Sequence, residues 1–120
     1  MLVDIFKEGK HRNYHRVRPD QIRYFNEKYK KRKFIRIKFG SEIAQKAGIF
    51  KGEHLRVQWD DKSRQLLINK SETGFVVIHT KGQYPYIHFP PPKGIKLPEV
   101  NKTFTNFEIK KDMIILDFYF

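Results

Sequence analysis

The sequence predicts a mainly β fold with one or two short helices, and three observations carry that expectation. Apolar and charged residues alternate along 34–39, where Ile35, Ile37 and Phe39 face one way and Arg36 and Lys38 the other. Two hairpin patterns, over 54–68 and 104–118, each fold back at a polar turn containing Lys and Asp. Apolar stripes at helical spacing, by contrast, are short and narrow.

Taken in order, residues 1–18 form a basic arm without a clear period, carrying Lys7, Lys10, Arg12, Arg16 and Arg18. Pro19 and Asp20 supply a helix start, since proline restricts the residue before it and aspartate offers an N-cap oxygen. Ile22, Phe25 and Tyr29 then fall at i, i+3 and i+7, predicting a helix of about ten residues. Its last turn would hold Lys28, Lys30 and Lys31, the charge sign a helix C-terminus favours.

After the strand at 34–39, Ser41 reads as the N-cap of a second short helix with Ile43, Ala44 and Ala47 on its apolar face. Gly48 ends it in a left-handed position, and Gly52 makes the next turn. Leu55, Val57 and Trp59 alternate with His54, Arg56 and Gln58 up to a turn at 60–63, and the return strand runs through Leu66 and Ile68. Residues 75–79 are one continuous apolar strand between Gly74 and Gly82, and 84–89 is a further extended piece. The four prolines of 90–98 exclude helix there, and 104–109 pairs with 113–118 around Lys110, Lys111 and Asp112.

Composition bounds the function. The 120 residues suffice for one modest core, and 39% hydrophobic and 15% aromatic residues give the chain apolar content to fold. Absence of cysteine excludes disulfides, thiolate nucleophiles and Cys-containing zinc sites. No apolar run approaches the length of a membrane span and no signal-peptide core is visible, so a cytoplasmic protein without membrane contact is expected. The formal charge of +12 makes polyanions the expected partners.

Two stretches, 34–70 and 84–118, repeat the same order of events: a short strand, about ten residues of different character, then a hairpin with a charged turn. The matched pieces are IRIKF with YIHFP and HLRVQWDDKSRQLLI with NFEIKKDMIIL. The organisation expected is a basic arm and short helix over 1–33, followed by a β domain over 34–120.

The stretch IRIKFGSEIAQKAGIFKGEHLRVQWDDKSRQLLI resembles the AbrB/MazE/SpoVT type of DNA-binding domain, in which a strand enters a short helix, a Gly-x-x-x-Gly element follows and a hairpin closes the unit. Gly48, Gly52 and the acidic Glu53 match that element. Where the family usually places proline at the strand-to-helix junction, Phe39 is followed here by Gly40, and it is the second stretch that has Pro90 after Phe89. The resemblance implies a swapped-hairpin β-barrel. Such units normally need two chains, so the chain is expected either to form a single-chain pseudo-dimer from its two half-units or to pair as a homodimer.

Catalytic and metal constellations are weak. His11 and His15 lack further ligands for zinc, Asp60 and Asp61 sit in a turn where aspartate bonds locally, and no nucleotide fingerprint is present, so neither enzymatic activity, cofactor nor metal is expected. The basic residues are the candidate site. By resemblance, Arg32, Lys33, Arg36 and Lys38 match the region presented to DNA, with Lys46, Lys51 and Arg56 as flanking phosphate contacts and Arg16 and Arg18 in the arm. Double-stranded DNA is the expected partner and transcription regulation, bacterial or phage-type, the use the family implies. Two alternatives stand beside it: single-stranded nucleic acid or RNA stacked on Tyr14, Tyr24, Tyr29, Tyr84 and Tyr86, and a protein partner in an inhibitor or antitoxin-like role, contacted through the proline-rich 90–98.

Overall fold

The protein is described by a computed structural model covering residues 17–29, 31–79, 84–110 and 113–118. Among these, ten strands and one helix follow in order: β1 (Ile22–Tyr29), β2 (Arg32–Phe39), α1 (Ser41–Ala47), β3 (His54–Asp60), β4 (Gln65–Ser71), β5 (Phe75–Val76), β6 (Ile78–His79), β7 (Pro85–Phe89), β8 (Lys102–Phe104), β9 (Glu108–Lys110) and β10 (Met113–Asp117). They form two five-stranded antiparallel sheets, A with the order β6-β7-β2-β1-β8 and B with the order β5-β3-β4-β10-β9. Among the described residues neither sheet closes on itself or pairs with the other. The expected closed barrel is therefore replaced by two open sheets, which share one buried cluster of side chains.

The inner face of sheet A gives Ile22, Tyr24, Ile35, Ile37, Phe39 and Ile87 to that cluster, and sheet B gives Leu55, Leu66, Ile68, Ile114 and Leu116. Phe118, fully buried beyond β10, joins the two. Its ring lies edge-on to Tyr24 at 4.8 Å, to Phe104 at 5.0 Å and to Trp59 at 5.8 Å between centroids, so one aromatic contacts both layers.

The hairpin predicted at 54–68 is β3–β4, and that predicted at 104–118 contains β9–β10. The segment predicted as a helix from Pro19 is instead the strand β1. Its pattern fits both periods: Ile22 and Tyr24 face the core, whereas Phe25, whose spacing completed the helical stripe, is buried on the opposite face outside the core cluster. Full-length pairing with β2, Ile22↔Phe39 through Tyr29↔Arg32, satisfies the backbone along the whole strand, and tertiary pairing outweighs a narrow helical stripe. The boundary expected between 33 and 34 consequently falls inside β2.

The single strand expected over 75–79 divides at Val77 into β5 and β6, one in each sheet. There the Val77 N–H donates to Glu53 O at 2.8 Å and its carbonyl accepts from Gly52 N at 3.1 Å, which holds the crossing point. Leaving aside the short outer strands β5 and β8, the strand orders β6-β7-β2-β1 and β3-β4-β10-β9 are palindromic. Exchanging β1, β2, β3 and β4 with β6, β7, β9 and β10 reverses both orders without changing them.

Helix α1 is capped by backbone rather than by Ser41. Gly40 occupies the N-cap position with no side-chain cap, and the Pro19 carbonyl accepts the N–H groups of Glu42 at 2.9 Å and Ile43 at 3.3 Å. Gly48 closes the helix at φ 69°, as its position predicts. The Pro19–Asp20 corner thus seats α1, with Gly40 N donating to Gln21 O at 2.7 Å. A Cβ at Gly40 would collide with the carbonyl oxygens of Arg18 and Pro19, which explains glycine at this junction.

The proline-rich segment returns to β1 through Pro98. Its carbonyl accepts the Tyr24 hydroxyl at 2.9 Å and the Asn26 side-chain amide at 2.8 Å. Burial pushes the Tyr24 phenol up to about 12, with the Asn26 hydrogen bond opposing and the Glu99 carboxylate adding to the rise.

Two outcomes follow from these contacts. Gly40→Ala forces backbone apart and should cost about 3 kcal/mol in urea unfolding, an overpacking penalty, although the extended backbone at this position is one that alanine adopts without strain. Because the raised Tyr24 pKa favours the neutral phenol, its contribution to stability is complete below pH 10 and declines as pH rises toward 12. Tyr24→Phe should therefore lose about 1 kcal/mol at neutral pH yet show a shallower alkaline decline in unfolding measurements.

Candidate nucleic-acid interface

The alternation that buries Ile35, Ile37 and Phe39 turns Phe34, Arg36 and Lys38 to the outer face of sheet A, and strand pairing places their neighbours. One row across the sheet is Thr103, Arg23, Lys38, Tyr86 and Ile78. The next is Phe25, Arg36 and His88. Beyond it Glu27 stands opposite Phe34, and the β1–β2 hairpin then reaches its tip, where Lys28, Lys31, Arg32 and Lys33 are exposed. From Lys38 to Arg32 the strand covers about 20 Å, roughly six base-pair steps of duplex. In β1, β2 and β7 the one carboxylate is Glu27.

The cations on this face rest on aromatic rings. Arg23 and Lys38 lie 5.0 and 5.6 Å from the centroid of Phe25, and the Arg36 guanidinium lies 5.5 Å from Phe34 and 5.9 Å from Tyr86. Each ring accepts positive charge on its face and fixes a long side chain that would otherwise sweep solvent. Burial holds the Lys38 ammonium below its ordinary value, Arg36 and Arg23 lower it further, and Glu27 opposes them. Lys38 thus sits in a field of like charge. Arg36 Nε is buried without a hydrogen-bond acceptor.

The predicted site residues separate into three places. Arg32, Lys33, Arg36 and Lys38 share β2; Lys33 also forms an exposed ion pair with Glu99 at 3.5 Å. Arg18, Lys46 and Lys51 are exposed at the other end of β2, around α1 and the following turn. Arg56 is exposed on the outer face of sheet B, paired across from Asn69, and so points away from Arg36 and Lys38. Arg16 lies outside the described residues, as do His11, His15 and Tyr14.

Arg23, Phe25 and His88 belong to the same face and were not among the predicted contacts, and Tyr86, expected only as a base-stacking ring, lies there too. The period-two reading of 22–29 would have found Arg23 and Phe25; the β2–β7 register that brings Tyr86 and His88 beside Arg36 has no local signal. Of the tyrosines considered for base stacking, Tyr24 is a core residue and Tyr86 lies on the cationic face.

Asp60 serves its turn, accepting the N–H groups of Lys62 at 3.0 Å and Ser63 at 3.3 Å, and the Ser63 N–H above all holds its carboxyl below the usual range. Among the described residues no group of three His, Cys, Asp or Glu is placed to hold a metal ion. No helix among them is long and apolar enough to cross a membrane.

No family model, curated protein or solved structure matches the chain.

The half-buried Arg36 and the exposed Arg56 should respond differently to truncation. Arg36→Ala strips contact from Phe34 and Tyr86 and is expected to cost about 1–2 kcal/mol in urea unfolding, whereas Arg56→Ala should stay within about 0.5 kcal/mol.

Proposed function

We propose that the protein is a non-enzymatic DNA-binding protein that lays the outer face of sheet A and the tip of the β1–β2 hairpin against double-stranded DNA. The observation that carries this reading is the row structure of that face: Arg23, Arg36 and Lys38 clustered over aromatic rings, continued by Lys28, Lys31, Arg32 and Lys33, with Glu27 on the face and Glu99 beside Lys33 in opposition. Like charges gathered at this density repel one another, and a polyanion relieves that repulsion while releasing its own counterions. The face is wide enough to follow phosphates along a groove, and the hairpin tip extends beyond it as a basic finger.

The palindromic strand order supports an AbrB-like unit assembled within one chain. In this reading β1–β4 with α1 form one half-unit and β6, β7, β9 and β10 the other, with the proline-rich segment replacing the second helix. Gly40 is compatible with that assignment because the junction is closed by the Pro19 carbonyl, which does the capping for which a side chain or a fixed proline would otherwise serve. Transcription regulation, in a bacterial or phage setting and on nucleoid DNA, is the use that this architecture suggests.

A protein partner is favoured by a separate observation. Beside the proline-rich segment lies a groove of about 360 Å³ with Pro91, Ile95 and Leu97 as its apolar lining and Asn26, Lys33, Lys96 and Glu99 as its polar lining, with Ile95 46% exposed. Its occupant would be an apolar side chain, in contrast to the cationic face of sheet A.

Duplex binding measured against salt tests the leading reading. The protein should bind a random 20-base-pair duplex with a steep loss of affinity between low and physiological salt, and the triple substitution Lys28→Ala, Lys31→Ala, Arg32→Ala should reduce the slope of log K against log salt by about 3. Arg56→Ala should leave that slope unchanged. Failure to bind any duplex at low salt would sink the proposal.

A further inference from the structure

We propose that the groove where β7 ends beside β2 holds one unpaired nucleotide at the end of a duplex bound on the adjoining face; this rests on the DNA-binding reading above. Three prolines, Pro90 to Pro92, follow β7, and none has an N–H to continue the ladder, so pairing between β2 and β7 stops at Ile35↔Phe89. Residues 32–34 of β2 run on past the end of that neighbour. The step encloses a groove of about 500 Å³, within the range of small-ligand sites.

Its lining has two chemistries. Arg32, Lys33 and Arg36 supply positive charge and, with His88, hydrogen-bonding groups, Phe34 and Pro90 supply apolar surface, and no carboxylate is among the described lining residues. An inorganic anion would use only the first set and an apolar side chain only the second; a nucleotide uses both, its phosphate among the cations and its base against the ring. Arg36 is already positioned for this. Its guanidinium lines the groove and is held over Phe34 and Tyr86, so a phosphate oxygen there accepts from a donor whose position the rings have already fixed. The groove opens from the same β2 face that carries the duplex contacts, so a terminal nucleotide reaches it without a second binding event.

The test compares a blunt duplex with the same duplex carrying a one-nucleotide overhang, and with an abasic overhang, by fluorescence anisotropy at one salt concentration. The overhang is expected to bind about tenfold more tightly than the blunt end, with the abasic form losing most of that gain. Phe34→Leu should bring the overhang-to-blunt ratio to about 1, and the exposed His88→Ala, which does not disturb the core, should lower it. Equal affinity of the native protein for blunt and overhang duplexes would overturn the groove assignment while leaving the DNA reading in place. If no duplex binds, the DNA reading fails and the groove is decided by chemical-shift titration. Shifts at Phe34 and His88 with a nucleoside 5′-monophosphate, at concentrations where inorganic phosphate gives none, would support it, and their absence would overturn it.

Discussion

The architecture depends on the period-two alternation of β2 at the centre of sheet A. With Ile35, Ile37 and Phe39 fully buried, a one-residue slip would bring Arg36 and Lys38 into the core and expose three large apolar side chains. Burying each such residue is worth about 2 kcal/mol, so the register is fixed by several kcal/mol before any charged group contributes. Everything on the outer face inherits its position from that choice. Arg36 meets Phe25 and His88 because Ile35 and Ile37 are held from behind, and the cations of β1 come into line by pairing with β2.

That dependence explains what was legible in the sequence. β2, the β3–β4 hairpin and α1 with its Gly48 stop carry signals within a few residues of one another and formed close to where the pattern placed them, whereas the strand expected over 104–109 divided, Phe104 ending β8 in sheet A and only 108–110 forming β9 against β10 in sheet B. β1 did not follow its pattern, because Phe25 is apolar for a reason the local period does not encode: it lies under Arg23 and Lys38 on the outer face. Counted as a core residue, it turned a strand into a helical stripe. The break at Val77 was equally hidden, since it depends on Glu53 and Gly52, more than twenty residues earlier. Similarly, the basic character of the candidate site was visible from composition, yet its geometry was not: Arg56 reads as the equal of Arg36 in sequence and faces the other way in the fold.

Gly40 and Pro98 perform related work at the start and along the middle of β1. At the first, the Arg18–Gln21 corner presses so closely on the strand-to-helix junction that only glycine fits. At the second, one proline carbonyl collects the Tyr24 hydroxyl and the Asn26 amide, tying the long return from β7 to the strand beside β8. Each junction relies on a proline carbonyl as acceptor, that of Pro19 for the first turn of α1 and that of Pro98 for the side chains of β1. Together they hold β1, and therefore Arg23, against β2, which makes the cationic face a rigid surface rather than a set of independent lysines.

The central claim is that the outer face of sheet A, and not the outer face of sheet B, meets nucleic acid. Amide chemical-shift mapping of the native protein with a short duplex addresses it directly. With duplex on sheet A, the largest changes should fall on 23–29, 31–38 and 86–88, with 56–58, 67–69 and 113–115 unmoved. Changes concentrated around Arg56, Asn69 and Met113 would contradict it.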